Sequence, residues 1–309
     1  MISQCTIDKP VAISGIGLHS GARINMTLRP AEAGTGIVFH RFLGTRTVAI
    51  AARSENVVDT RLATVIGHGD ARISTVEHLL ATLAAYGIDN LHIDIDGPEV
   101  PVMDGSAAPF AALLEAAGLR KLSRSRIYLA IRQPVTVSDG DKRVNIIPSR
   151  FFRMTYDIAF EHPCIAMQQR SLKVTPESFR RELAPARTFG FLRDVERLKA
   201  VGLARGGSLD NAIVIDEERI LNPEGLRFPD EFVRHKILDA IGDLSLIGYP
   251  ILGHVRAYKA GHDINHQLVQ KILANPHCWQ LIEFSDEDLL EDLHEPAPVF
   301  TPEFALSRA

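Results

Sequence analysis

The chain has 309 residues, 46% of them hydrophobic and 23% charged, with a formal net charge of −4. That is enough chain for two domains with cores of their own, and too mild a charge for nucleic acid or an anionic membrane to be the main partner. The three cysteines (Cys5, Cys164, Cys278) form no metal-binding pair, no apolar run reaches the roughly 20 residues of a membrane span, and "MISQCTIDKP" lacks the features of a signal peptide.

Taken in order, residues 1–60 alternate short strand-like runs with turns: "VAISGIGLHSG", "RINMTLRP", "GIVFHR" and "RTVAIAA". The spacing then predicts a helix over "STVEHLLATLAAYGI", a strand at "NLHIDID", a turn at "GPEVPVMDGSAAPF" and a helix at "AALLEAAGL". The basic stretch "RKLSRSR" (120–126) reads as a linker. Beyond it come strands at "IYLAIRQPVTVS", "KRVNIIPS" and "FRMTYDIAF", then "GGSLDNAIVID", a helix at 230–247, the strand "ILGHVRAYKA" and the helix "INHQLVQKILAN". The acidic, proline-containing end from "SDEDLLEDLHEPAP" reads as a loosely held tail.

The two halves share an order: several strands, a polar-decorated helix, a strand, another helix. Setting "HLLATLAAYG" over "DAIGDLSLIG" aligns Gly87 with Gly248 and His78 with Asp239. A duplicated α+β unit would bring the polar groups of its two main helices together at a domain interface.

The helix at 230–247 has an apolar side of Ile237, Leu238, Ile241 and Leu244, yet His235, Asp239 and Asp243 follow at intervals of four. Such a file lies along one stripe, so two ligands from one helix can grip one ion. With His78 from the first helix, two imidazoles and one carboxylate suit a catalytic zinc that keeps a position for water. Two bland readings stand beside this one. A polar file is also what a solvated face carries, and "STVE" fits a capping box in which Ser74 caps the helix and Glu77 reaches back.

"GIGLHSG", "TVEHLLATL", "VPVMDGSAAPF", "RTFGF", "GGSLDNAIV", "DEFVRHKILDAIGDL" and "AYKAGHDINH" occur together, between about residues 2 and 273. In that order they resemble the UDP-3-O-acyl-N-acetylglucosamine deacetylase family of lipid A biosynthesis. The resemblance implies an α+β fold of two similar domains in a layered sandwich, sheets outside and helices between, with the active site at the domain junction. The expected boundaries are 1–122 and 123–280, with an acyl-passage insert near 189–214 and an acidic C-terminal tail at 281–309. The implied enzyme is a zinc-dependent amidohydrolase. It releases acetate from UDP-3-O-(3-hydroxyacyl)-N-acetylglucosamine, the committed step towards the outer-membrane lipid of Gram-negative bacteria.

The same resemblance assigns residues. His78, His235 and Asp239 bind zinc, for which Fe2+ is a possible substitute. Glu77 is the general base, His262 the cationic partner and general acid, and Asp243 orients His262. Thr188 stabilises the oxyanion, although a hydroxyl there can also make a local turn. Lys142, Lys236 and Lys259 serve the nucleotide side, Phe160 packs near uracil, and Phe189, Val195 and Ala204 line the acyl passage with Leu18 opposite. Apolar residues more often mean core, and His262 could be incidental to a turn in which Asp263 caps the next helix. His262 is expected to precede that helix and His266 to be surface decoration; His19 either lines the cleft or finishes a turn. The expected partner is the acylated UDP-amino-sugar alone, without nucleic acid or a transmembrane segment. The protein is expected to be a monomer in a reducing cytoplasm. The competing classes are a nucleotide-sugar binding module without catalysis and a metalloenzyme for another N-acyl sugar.

Overall fold

The structure, a computed structural model, describes residues 2–284. After β1 (Ser3–Ile7), four strands alternate as the sequence predicts: β2 (Val11–Ile16), β3 (Arg23–Pro30), β4 (Ile37–Leu43) and β5 (Arg46–Ala51). A small sheet of β6 (Val57–Asp59), β7 (Val65–His68) and β8 (Ala71–Ile73) leads to α1 (Glu77–Tyr86), β9 (Leu91–Ile95) and α2 (Ala108–Ala117). The period of two is clear where Ile24, Met26 and Leu28 of β3 and Leu91, Ile93 and Ile95 of β9 all turn inward and are buried. β9 inserts between β3 and β4, so the five-stranded sheet runs β2-β3-β9-β4-β5, antiparallel except at β4–β9.

The second half opens with β10 (Leu119–Ser125) and β11 (Tyr128–Ile131), followed by β12 (Val135–Asp139), β13 (Lys142–Ile147), β14 (Phe152–Ala159) and β15 (Met167–Lys173). A short helix, α3 (Pro176–Ser178), runs into a π turn at Phe179–Leu183. β16 (Phe189–Phe191), α4 (Leu192–Ala200) and β17 (Ile213–Ile215) form a small crossover whose strands pair in parallel. The chain continues with α5 (Glu231–Ser245), β18 (Ile251–Tyr258), α6 (His262–Leu273) and β19 (Trp279–Ile282). β18 lies antiparallel to β13 and parallel to β14, which carries β15. The path β12-β13-β18-β14-β15 therefore repeats the order and directions of the first sheet, with β11 and β19 added alongside. Gly87 and Gly248, aligned from sequence alone, hold φ of 73° and 84° just past their helices, a conformation in which a Cβ is strained.

The architecture is an α+β sandwich with sheets outside and helices between. Leu79, Leu80 and Leu83 of α1, with Phe110 and Leu114 of α2, pack in the core of the first sheet. Phe232, Ile237, Leu238, Ile241 and Leu244 of α5, with Leu268 and Ile272 of α6, pack in that of the second. α1 is buried on both sides, because Ala81 and Ala85 join the second core while its leucines join the first. Where α1 meets α5, a Cβ placed on Gly242 would overlap the backbone carbonyl of Glu77. The helices cross at backbone contact.

Two sequence expectations need correction. The stretch 120–126 is no linker: β10 pairs antiparallel with β1, from Ser3↔Ser125 to Ile7↔Leu119, and spans the expected boundary at residue 122. Charge on such a strand is compatible with pairing, since lysine and arginine commonly protect exposed sheet edges. The first helix starts at Glu77 rather than Ser74. Of the expected tail, residues 285–309 lie outside the described residues.

Gly242→Ala tests the crossing by its sign. Mid-helix, alanine is ordinarily better than glycine by about 0.8–1 kcal/mol. Here overpacking should make the variant less stable by about 1–3 kcal/mol in urea denaturation. A more stable Gly242→Ala would contradict the close approach.

Candidate active site

The crossing brings the first turn of α1 against the middle of α5. The Nε2 atoms of His78 and His235 lie 3.4 and 3.3 Å from the same oxygen, Oδ1 of Asp239. The two rings meet edge to face at 4.9 Å, and the three ligand atoms lie within 4.8 Å of one another, all on buried residues. His235 Nδ1 sits 3.1 Å from the carbonyl of Ala186, which can only accept, so Nδ1 carries the proton and the Nε2 lone pair faces the cluster. Burial holds the His235 pKa down to about 3 against the pull of Asp239, so this imidazole is neutral at neutral pH. Burial opposes ionisation of Asp239, yet the nearby His235 and Lys236 keep its carboxyl well below the usual range. Lone pairs and an anionic oxygen converging on one point make a donor set that fits a divalent cation.

Lys236 Nζ donates to the other Asp239 oxygen, Oδ2, at 2.8 Å. Burial disfavours its charge, but Asp239 outweighs this and raises the ammonium pKa. Its cation is thus committed to a carboxylate of the cluster.

Beside the cluster lies a second polar group. Glu77, 4% exposed, accepts the Thr64 amide at Oε2 (3.1 Å) and makes no capping box with Ser74. The reason is local: Thr75 takes φ of 58°, which no right-handed helix accommodates, and its hydroxyl bonds Glu99 instead (3.0 Å). Burial raises the Glu77 pKa, with His262 and His78 opposing and Asp239 and Asp243 adding to it. His262 is the first residue of α6 rather than a residue before it. Its Nδ1 lies 2.9 Å from Asp243 Oδ2, while Asp243 also accepts the Thr64 hydroxyl (2.6 Å) and Asn265 Nδ2 (2.9 Å). Burial alone would lower the His262 pKa, but the charge and hydrogen bond of Asp243, followed by Glu77 and Asp239, push it up to about 9. Asp263 does not cap α6; it accepts from Gln267 (2.7 Å) and Thr60 (3.3 Å). His266 is half-buried, with Nδ1 unpartnered among the described residues, so it is not surface decoration.

The "RTFGF" loop is tied to the start of α5. Glu231, fully buried, accepts from the Arg187 amide (3.0 Å), Arg187 Nε (2.9 Å) and the Arg227 amide (2.6 Å). This fixes Ala186, which orients His235, and Thr188, whose amide donates to Gly105 (2.8 Å) and whose carbonyl accepts from Ile213 (2.8 Å). The Thr188 hydroxyl makes no hydrogen bond among the described residues, so it is not consumed by a local turn.

The remaining sequence-predicted residues fall in two groups. Phe189 meets Phe160 (5.9 Å), Phe232 (4.9 Å) and His235 (6.3 Å) ring to ring, and Lys236 Nζ stands 5.7 Å from its centre. Val195 on α4 faces Gly190, and Ala204, with φ of 51°, approaches Gly207 alongside Leu18. The Leu18 carbonyl accepts the Gly206 amide (3.0 Å), which ties this loop to the turn between β2 and β3. Lys142 lies exposed at the start of β13, and Lys259 Nζ donates to Asp141 (2.6 Å). No hydrogen bond among the described residues joins either lysine to the histidine cluster. The His19 amide donates to Glu99 Oε1 (2.9 Å), while its buried Nδ1 has no partner among the described residues.

Sequence reasoning missed Thr64, Asn265, Arg187 and Glu231. Asn265 stands three residues after His262, a helical spacing that could have revealed it. Thr64 acts partly through its backbone, which no residue pattern announces.

A family model described as UDP-3-O-acyl N-acetylglycosamine deacetylase matches residues 4–274. A Syntrophotalea carbinolica protein is 68% identical over 283 residues, covering 92% of each chain. A Geobacter sp. protein is 57% identical over 287 residues (93% of this chain, 94% of its own), and one from Myxococcus xanthus is 58% identical over 280 residues (91% and 89%). All three are named UDP-3-O-acyl-N-acetylglucosamine deacetylase.

The His262–Asp243 geometry predicts a titration. In Asp243→Asn the burial that disfavours the imidazolium remains while its main anionic partner is gone. The His262 midpoint, followed by NMR of the ring protons, should fall from about 9 towards or below its ordinary 6.5. A midpoint that stays near 9 would show that Asp243 is not what holds the charge.

Proposed function

The chain belongs to the UDP-3-O-acyl N-acetylglycosamine deacetylase family of lipid A biosynthesis, and from this premise we propose that it works as a zinc-dependent amidohydrolase. The substrate is UDP-3-O-(3-hydroxyacyl)-N-acetylglucosamine, and the products are acetate and the free 2-amine. The observation that carries the reading is the convergence of His78 Nε2, His235 Nε2 and Asp239 Oδ1 beside buried Glu77 and His262.

His78, His235 and Asp239 would hold the ion, which when bound supplies Lewis acidity and lowers the pKa of water. Glu77 takes the proton of the attacking water; burial raises its proton affinity, as a base working near neutrality requires. As the water oxygen joins the acetyl carbon, charge develops on the carbonyl oxygen, and the uncommitted Thr188 hydroxyl donates to it. His262, kept cationic by Asp243, offsets that charge and gives a proton to the nitrogen as the C–N bond breaks. The proton count closes: one proton passes from water to Glu77 and one from His262 to the amine.

The substrate's other parts need unlike surfaces. Phe160 and Phe189 offer aromatic faces for the uracil and the mouth of the acyl passage, and Val195, Ala204 and Leu18 offer apolar walls farther along. Lys142 and Lys259 serve the diphosphate side. Lys236 contributes to substrate binding from a side chain already bonded to Asp239. We read the two halves of the chain, whose expected division at residues 122 and 123 falls within β10, as the units that enclose this cleft. We expect the reaction to be carried out by a monomer in the cytoplasm. No helix among the described residues is long and apolar enough to cross a membrane.

Two experiments test the proposal. Chelation should abolish acetate release and stoichiometric zinc should restore it; Fe(II) is expected to substitute, because imidazole and carboxylate ligands accept it too. Full turnover from protein shown by metal analysis to be empty would end the zinc reading. Glu77→Gln should lower kcat by roughly 10²–10⁴ while zinc content and melting temperature stay close to those of the parent. Near-normal turnover in that variant would assign Glu77 to structure.

A further inference from the structure

We propose that Thr64 is a positioning residue for catalysis, holding the Asp243 carboxylate in the orientation that aims His262 and anchoring Glu77 beside it. The inference rests on the roles proposed above for Glu77, Asp243 and His262.

Thr64 is 1% exposed and stands on the loop between β6 and β7. Its hydroxyl and amide reach site residues, and its carbonyl ties it to the start of α1. The hydroxyl donates to Asp243 Oδ1 (2.6 Å) on α5, the amide donates to Glu77 Oε2 (3.1 Å) on α1, and the carbonyl accepts from the Val76 amide (3.4 Å) immediately before α1. One residue thus links the proposed base on one helix to the carboxylate that controls the proposed acid from the other.

The bonds on Asp243 show what the hydroxyl adds. Oδ2 is occupied by His262 Nδ1 (2.9 Å) and Asn265 Nδ2 (2.9 Å), whereas Oδ1 has the Thr64 hydroxyl and a longer approach of His262 at 3.2 Å. Without the hydroxyl, Oδ1 would lose its short donor in a buried site, and the carboxylate could turn to share the imidazole between both oxygens. The amide bond to Glu77 belongs to the backbone and survives most substitutions. The side-chain effect should therefore run through Asp243 alone.

The test is steady-state kcat and KM of the zinc-loaded full chain for Thr64→Val, Thr64→Ser, Asp243→Asn and the double variant Thr64→Val/Asp243→Asn, each with a melting temperature. Thr64→Val keeps the shape and removes the donor; loss of a hydrogen bond to a charged group should lower kcat about 10- to 100-fold, with KM changed less than about 3-fold. Thr64→Ser should return kcat to within about 3-fold of the parent. In the Asp243→Asn background Thr64→Val should cost almost nothing further, as two residues acting in series require. Unchanged kcat in Thr64→Val, an impaired Thr64→Ser, or full multiplication of the two losses would overturn the inference. Asp243→Asn with parental kcat would overturn the reading beneath it and this inference together; a low Asp243→Asn beside an unimpaired Thr64→Val overturns this inference alone. Thr64→Ala takes the place of the valine if that variant does not fold, with the same non-additivity expected.

Discussion

Helices α1 and α5 touch through backbone, with Gly242 leaving the room that the Glu77 carbonyl occupies. An approach this close fixes more than packing. It sets His78 on α1 within reach of Asp239 on α5, and it places Glu77 on the same side as Asp243. A side chain at position 242 would overlap the Glu77 carbonyl, so the helices could not keep this approach. The leucines of α1 and the isoleucines of α5 hold the helices from outside, each against its own sheet. Packing thus supplies the rigidity on which the polar site depends.

That site concentrates charge where charge is costly. Glu77, Lys236, Asp239, Asp243 and His262 are largely withdrawn from water, and a lone ion in such surroundings would change protonation state rather than stay charged. Here each is answered by a neighbour. Lys236 faces Asp239, while Thr64, Asn265 and His262 face Asp243. Burial and partners push the titrating groups in opposite directions: His235 goes down to about 3 and His262 up to about 9. One imidazole is left free to bind a cation, and the other is left able to give a proton. Arg187 and Glu231 extend the same logic to the loop, fixing the carbonyl that selects the His235 tautomer.

Much of this could be read in the sequence, for physical reasons that differ by element. Alternating burial in β3 and β9, and the glycines that end α1 and α5, follow from period and from the conformational freedom of one residue type. The equivalence of Gly87 and Gly248 even anticipated the repeated sheet topology. The capping box at Ser74 misled because a four-residue pattern carries no information about Thr75, whose left-handed backbone delays the helix. β10 was hidden for a related reason: a charged edge strand and a charged linker have the same composition, and only a partner strand distinguishes them. Thr64 could not be found locally, since it acts on residues more than ten positions away, and neither could the tie from Glu231 to Arg187, which spans 44 positions.

In the proposed metal centre, two helices from the two halves share one ion through two imidazoles and a carboxylate. X-ray absorption at the zinc edge of the reconstituted protein addresses it directly. The account requires nitrogen and oxygen donors at about 2.0–2.2 Å with the scattering signature of two imidazoles, reduced to one in His78→Ala and in His235→Ala. A sulfur shell near about 2.3 Å, or a spectrum that neither substitution alters, would place the metal elsewhere and contradict the account.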